Sequence, residues 1–348
     1  MTSDSSPPAM AANLLRLDLA AGADLSARPL TDDILLLPVA ALENHGPHLP
    51  LATDAMIGED LAVRVGQRLA AAYPNARVWL HPPWHVGAAT IRGVGSVKVP
   101  ARIFRRALLA YLRRFLRQGF RRFILVSAHG GVPHVGVLDD VCSRLNRLRV
   151  GDRPVQALAP CAYAAGKAYA GMYVDEVRAA GAVFSAEEVR DLAEDLHAGR
   201  LETAMMLAIA PEHVREIYRT LPDLRPPRRW WLTALERTLA GIVTRATKPE
   251  TTRQRVLLAL RIGAADLSWI IRGRAEGYVG WPSKATAVEG EALLTAVADD
   301  IARCAGQVFD GRLDPRELRS PAHLFRWFVA GCVAAVGLAA LLLWLVVF

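Results

Sequence analysis

Four short apolar runs, each separated from the next by an amphipathic stretch, constrain this chain more than any other feature. "DILLLPVA" (33–40), "ARVWLHP" (76–82), "RRFILVSA" (121–128) and "PVQALAP" (154–160) are apolar and branched enough for buried strands. Between them, residues 56–73, 101–118 and about 134–148 repeat apolar side chains at helical spacing. Strand and helix alternating in this way argue for βαβ units and a parallel sheet covered on both faces. The fold class expected is therefore α/β: a single three-layer α/β/α domain with a mostly parallel sheet.

Further along, "FSAEEVRDLAEDLHAG" opens with a capping box, Ser185 and Glu188, which predicts a helix running toward His197. "RLETAMMLAIAP" continues as a helix that Pro211 stops. Residues 214–276 hold two amphipathic stretches, roughly 231–245 and 251–272, and are read as a helical insertion within a domain spanning 31–309. A glycine-rich loop and a long helix close that domain. Residues 1–30 are expected to be a partly disordered lead, and 310–326 a polar linker.

Composition excludes several functions. The net charge of +8 comes mostly from arginine, and the densest cluster, "RIFRRALLAYLRRFLRQGFRR" (102–122), is interleaved with Ile103, Leu108, Leu109, Leu112 and Leu116 at helical spacing. Those arginines form the solvated face of an amphipathic helix, so no nucleic-acid partner is expected. The four cysteines, Cys142, Cys161, Cys304 and Cys332, show no CxxC spacing, which fits a reducing compartment and excludes a thiolate zinc site. The start of the chain lacks the pattern of a signal peptide. At the other end, residues 327–348 run 22 positions without a charge, with Trp327 and Trp344 near their ends. Such a stretch can cross a hydrocarbon core of about 30 Å. Arg312, Arg316, Arg319 and Arg326 precede it, so the expectation is a C-terminal transmembrane helix, a cell-membrane location and a cytoplasmic body.

The first apolar run ends in "ALENHGPHLPLATDA", and the third ends at His129. In open parallel sheets ligands gather beyond the carboxyl ends of the strands, so Glu43 and His129 can emerge at one rim. Glu43 and His45, two apart in an extended segment, project to the same side. A turn stiffened by Pro47 and Pro50 can return Asp54 to that point. Mixed imidazole and carboxylate donors suit zinc, manganese or iron. "HAGRLET" (197–203) supplies a third cluster.

These segments resemble the creatininase family of metal-dependent amidohydrolases. "LPVAALENHGPHLPLATD" is similar to its signature P-x-G-s-x-E-x-H-G-x-H-L-P-x-x-T-D, and "GFRRFILVSAHGG" to a strand ending in N-G-H-G-G-N. "LHAGRLETAMMLAIAPEHV" resembles H-A-G-E-x-E-T-S, and "GYVGWPSKATAVEGEALL" resembles the closing G-d-P-x-x-A-t-x-x-K-G. The resemblance implies two divalent ions, zinc first with manganese or iron as alternatives. It implies Glu43, His45, Asp54, His129 and Glu202 as ligands, with Asp54 bridging. His197 would hand a proton to the leaving nitrogen, Glu202 would share in catalysis, and His48 would orient a ligand.

Gly131 stands where creatininase itself has a further glutamate ligand, which argues against creatinine as substrate. Ala128 and Val132 replace asparagines of the second motif, and Arg200 replaces the first glutamate of the third. The resemblance implies a hydrolase of a small non-peptide amide. The alternatives are a peptidase that trims a modified peptide or cofactor precursor, or a catalytically weak metal-binding membrane scaffold. It also implies a homo-oligomer, commonly a hexamer.

Overall fold

The computed structural model describes residues 11–246, 250–272 and 276–320. Five strands form one sheet: β1 (Leu14–Arg16), β2 (Ile34–Pro38), β3 (Val78–Leu80), β4 (Arg122–Val126) and β7 (Gln156–Leu158). Their order is β1-β3-β2-β4-β7, and every pairing is parallel. A separate antiparallel pair, β5 (Arg149–Val150) and β6 (Arg153–Pro154), lies beside the sheet's edge in sequence.

The alternation of side chains across β2 and β4 builds both cores at once. Ile34, Leu36, Ile124 and Val126 point into one apolar cluster; Leu35, Leu37, Phe123 and Leu125 point into the other. The first cluster is closed by α2 (Thr53–Ala72), α5 (Cys161–Tyr169), α6 (Val174–Ala179), α8 (Arg200–Ile209) and α11 (Ala287–Phe309). The second is closed by α3 (Ala101–Gln118) and α4 (Val132–Leu145). Because both faces are covered, β2 is buried at all five positions and needs no polar face. Truncating one of these leucines to alanine would cost about 2–5 kcal/mol. The remaining helices are α1 (Gly22–Ser26), α7 (Ala186–Asp191), α9 (Trp230–Ala246) and α10 (Glu250–Arg272).

Four expectations change. Among the described residues no helix is long and apolar enough to cross a membrane. The three-layer fold therefore stands without the transmembrane helix, and the membrane location drawn from it is withdrawn. The expected span, 327–348, lies outside the described residues. α11, one of the longest described helices, instead buries one apolar face, Leu293, Leu294, Val297, Ile301 and Val308, in the first core cluster. Second, the lead over residues 1–30 contains an edge strand: β1 pairs with β3 in register from Leu14 with Val78 to Arg16 with Leu80. Third, the linker is docked as far as Ser320, whose N–H and hydroxyl both donate to Asp139 (3.1 and 2.7 Å). Fourth, the helix opened by Ser185 ends at Asp191, and a 3-10 turn follows.

A candidate metal centre at the carboxyl edge of the sheet

Beyond Pro38, the chain keeps its β2 direction for one more bond, Val39 N–H to the carbonyl of Val126 (2.8 Å), and then turns outward. The turn is held by Glu43 N–H on the carbonyl of Leu51 (3.0 Å) and by Asn44 Oδ1, which accepts from Gly46 N–H (3.0 Å). Gly46 takes φ +72°, a left-handed conformation that a glycine adopts without strain. α2 begins immediately after, with Asp54 in its first turn, where the positive end of the helix dipole favours a carboxylate. Glu43, His45 and Asp54 are 1%, 0% and 1% exposed, so the loop buries three titratable groups together.

The ring nitrogens are assigned by their second partners. His45 Nδ1 lies 2.9 Å from the carbonyl of Glu43 and must donate to it, which leaves Nε2 with a lone pair. Nε2 faces Asp54 Oδ1 at 3.3 Å and Glu202 Oε2 at 3.8 Å. His129, just past β4, donates Nε2–H to the carbonyl of Ala88 (2.9 Å). Its Nδ1 faces Asp54 Oδ2 at 3.0 Å and Glu43 Oε2 at 2.9 Å. Asp54 thus presents one oxygen to each imidazole. Glu43 Oε1 accepts Ile91 N–H, while its buried Oε2 makes no hydrogen bond. Imidazole nitrogens and carboxylate oxygens that converge this closely hydrogen-bond to one another, His45 Nε2 with Asp54 Oδ1 and His129 Nδ1 with Asp54 Oδ2, and a cation can take the place of those protons. Two sets, Glu43–Asp54–His129 and His45–Asp54–Glu202, bring their ligand atoms within 4.8 Å and share Asp54.

The electrostatics agree with that fit. Burial opposes charge on both imidazoles, yet the surrounding carboxylates win: His45 is pushed up to about 9 and His129 well above its ordinary value. Asp54 is held well below the carboxylate range despite its burial, because His45 and His129 flank it. Burial and the charge of Asp54 push Glu202 up to about 8, against the pull of His45. Cations would replace the protons that balance this cluster.

His197 is not a helix end. It forms an extended bridge with Val279, and its Nε2–H donates to the carbonyl of Asn44 (2.9 Å). Its ring lies 4.3 Å from that of His45, and it joins Glu43 and His45 in a third possible ligand set. Burial and the neighbouring His45 push it down to about 4, so it is neutral at pH 7. His48 stands outside the ligand sets and bonds Thr203 Oγ1 through Nε2 (3.0 Å), one residue from Glu202.

Sequence reasoning missed three supports. Ala198 takes φ +46° and gives its N–H to Glu202 Oε2 (2.6 Å), so a strained residue aims the carboxylate. His134 bonds Ser127 Oγ (3.2 Å), which in turn accepts His129 N–H (3.2 Å), and its ring sits 4.8 Å from His129. Asp195 accepts backbone N–H groups from Arg200, Leu201 and Trp281 (2.8, 2.9 and 3.1 Å), tying the start of α8 to the closing loop. A Cβ at Gly199 or Gly280 would lie 2.1 or 2.0 Å from its Oδ1, which is the signal those glycines carried.

Arg200, which replaces the first glutamate of the third motif, turns away from the centre. Its Nε lies 2.9 Å from both oxygens of Glu289, and its guanidinium sits 3.7 Å over the Phe184 ring. Glu289 stands where the closing motif has lysine. Glutamate and a cation have exchanged places across one buried pair.

Fold and site together define a three-layer α/β/α protein with a candidate binuclear metal centre at the carboxyl edge of its parallel sheet. The chain belongs to the creatininase family: the family model for creatinine amidohydrolase matches residues 20–305. It is 28% identical over 285 residues to the mycofactocin precursor peptide peptidase of Mycobacterium tuberculosis, covering 80% of this chain and 86% of that protein. Solved structures agree in fold. A structure from Bacteroides fragilis described as a creatinine amidohydrolase has 21% identity and a TM-score of 0.57, covering 84% of this chain and 96% of its own. A structure named "Creatininase Mn" has 19% identity and a TM-score of 0.51, with 83% and 96% covered.

Proposed function

We propose that the protein is a metal-dependent hydrolase of an amide C–N bond, with Glu43, Asp54 and His129 holding one divalent ion and His45, Asp54 and Glu202 the other. The observation that carries this is Asp54, whose two oxygens serve two separate donor sets. Zinc or manganese suits these donors. When bound, such ions polarise a scissile carbonyl and lower the pKa of water.

The chain's own residues supply the proton handling. Glu202, raised to about 8 by burial and by Asp54 and with Oε2 fixed by Ala198 N–H, holds its proton at neutral pH; with a cation in that proton's place it is a carboxylate able to accept one. His197 has its Nε2–H committed to the carbonyl of Asn44 and is neutral at pH 7, so its bare Nδ1 would pass to the leaving nitrogen only a proton it had first accepted. Of the substrate classes expected from the sequence, the peptide reading is favoured by the relative named as a peptide peptidase, similar over 80% of the chain. Creatinine is disfavoured: a Cβ at Gly131 would come 2.9 Å from both Ala89 Cβ and His129 Nε2, so no further glutamate ligand fits there.

Elemental analysis of the purified full-length protein tests the centre. About two ions per chain are expected, about one in His45→Ala, and close to none in Asp54→Ala, because a bridging carboxylate serves both. Peptide hydrolysis should be lost in Glu43→Gln. Two ions retained in the Asp54 variant would refute the assignment.

A further inference from the structure

The charge on α3 is unanswered. Arg102, Arg106, Arg113, Arg114 and Arg117 are exposed, and among the described residues none of the five makes a hydrogen bond or an ion pair. The helix has no acidic side chain over its 18 residues. By contrast, Arg64 meets Asp60 and Glu291, Arg144 meets Asp140, and Arg272 meets Glu276. At about 100° per residue, Arg102, Arg106, Arg113 and Arg117 fall within about 60° of one another, a stripe about 22 Å long. Arg102 with Arg106 and Arg113 with Arg117 are like charges at i, i+4, and Arg102 stands at the positive end of the helix dipole. Both arrangements oppose helix formation, a local conflict that an anionic partner relieves.

The stripe starts near the candidate metal centre. β4 begins directly after α3 and runs parallel to β2, so α3 crosses back from the carboxyl edge of the sheet to its amino edge. The loop before α3 is bonded to the centre's frame: Ile91 N–H donates to Glu43, and Val97 N–H to the carbonyl of Leu42 (2.8 Å). Arg92 and Lys98, both exposed, directly follow those two residues. Four residues separate Lys98 from Arg102, a reach of at most about 14 Å. A basic track thus leads from the rim of the centre along α3.

The groups between the arginines select the partner. Phe104 is buried, and Tyr111 stacks on Trp84 and bonds His81 Nε2 through its hydroxyl (2.6 Å), so these rings give bases no platform. Ile103, 50% exposed, stands beside the stripe with exposed Ala107 and Ala110. Arginines edged by small apolar groups suit glutamates and aspartates interleaved with aliphatic side chains.

We propose that Arg92, Lys98 and the α3 stripe form a docking track for the acidic part of a peptide substrate, lying within about ten residues of the bond at the metal centre. The proposal rests on the amide-hydrolase reading and names its substrate class. Metal-loaded full-length protein is titrated into a fluorescein-labelled 12-residue peptide of alternating glutamate and alanine, and into its glutamine counterpart. Anisotropy in about 50 mM salt should show the glutamate peptide binding about tenfold more tightly, and about 0.5 M salt should abolish the difference. R106Q/R113Q/R117Q should weaken that binding about tenfold, and R106K/R113K/R117K should keep most of it. The glutamine variant should melt no lower than wild type, since it removes like-charge pairs, which separates lost docking from lost fold.

Equal binding of the two peptides, or binding unchanged in the glutamine variant, overturns the proposal. So does displacement of the glutamate peptide by uridine 12-mer RNA or phosphatidylserine vesicles at lower concentration than by unlabelled peptide. Turnover keeps the two readings apart. Adding a glutamate tract to a cleaved peptide should raise kcat/KM about tenfold through KM, and the gain should vanish in the glutamine variant. A tract that leaves KM unchanged overturns the substrate role. Absence of any cleavage, with stripe-dependent binding intact, refutes the hydrolase reading instead.

Discussion

Exchanging the charges of Arg200 and Glu289 is expected to be far less harmful than changing either one alone. Arg200 and Glu289 are 3% and 0% exposed, and Nε touches both carboxylate oxygens at 2.9 Å. Breaking such a buried pair by removing one partner costs about 3–5 kcal/mol, because the other charge is left unpaired. Arg200→Glu brings its carboxylate up against Glu289 and Glu188, and the cost should sit near the upper end; Glu289→Lys brings two cations together. The double variant restores opposite charges and places the acid at the first position of α8, where the helix dipole adds about 0.3–1 kcal/mol. Against this, Arg200 Nη2 loses its bond to the carbonyl of Val183 (2.8 Å), and its stack on Phe184 goes. The double variant is therefore expected within about 2 kcal/mol of wild type, with a coupling energy of about 3 kcal/mol or more. Burial pushes Glu289 up to about 7 against the pull of Arg200, so urea unfolding should be run at pH 8, where both partners are charged. Additive single effects, with coupling below about 1 kcal/mol, would refute the reciprocal exchange.

Gly280→Ala should lower stability by about 3 kcal/mol or more and reduce bound metal, since its Cβ meets Asp195 Oδ1 at 2.0 Å and its φ is +136°. A thermal midpoint within a degree of wild type would contradict the close approach. Asp300 accepts from Lys167 and Tyr173 (2.6 and 2.9 Å), and these partners hold its carboxyl below the ordinary value although burial opposes them. A depressed carboxyl stabilises the fold above its unfolded pKa and loses that contribution as pH falls through the folded one. Asp300→Asn should thus cost about 1–2 kcal/mol at pH 7 and much less near pH 3, read from guanidinium midpoints; an equal cost at both values would discard the ion-pair account.

What could be read without coordinates follows the range of the interactions. β2 and β4 were visible because a strand covered on both faces is an unbroken apolar run. β1 was not, because three residues at an edge leave no run to recognise. Glu43, His45, Asp54 and His129 stood out as a crowd of polar groups directly after core strands. His197 and Glu202 were visible as a third polar cluster, but their roles came only from the motif they resemble, and the helix expected to run toward His197 ends at Asp191. Asp195, Ala198 and Trp269 were silent for a different reason. Asp195 matters because Gly199 and Gly280 meet over it, Ala198 because of one dihedral angle, and Trp269 because a distant hairpin folds back. None of these is a property of a local window. Arg200 stood out only as a departure from the third motif for the same reason: its partner, Glu289, lies 89 positions away.

α10 has a mechanical consequence. A helix of 23 residues is a rod about 34 Å long, and this one is fastened near its first turn to the carbonyls of Glu317 and Arg319. Its other end presses Trp269 on His197. A packed helix moves largely as one body, so a shift of the Glu317–Arg319 turn would be felt at an imidazole beside the candidate metal centre. One helix of the hairpin thus joins a turn 62 to 64 positions beyond its anchor, Arg255, to the ring of His197.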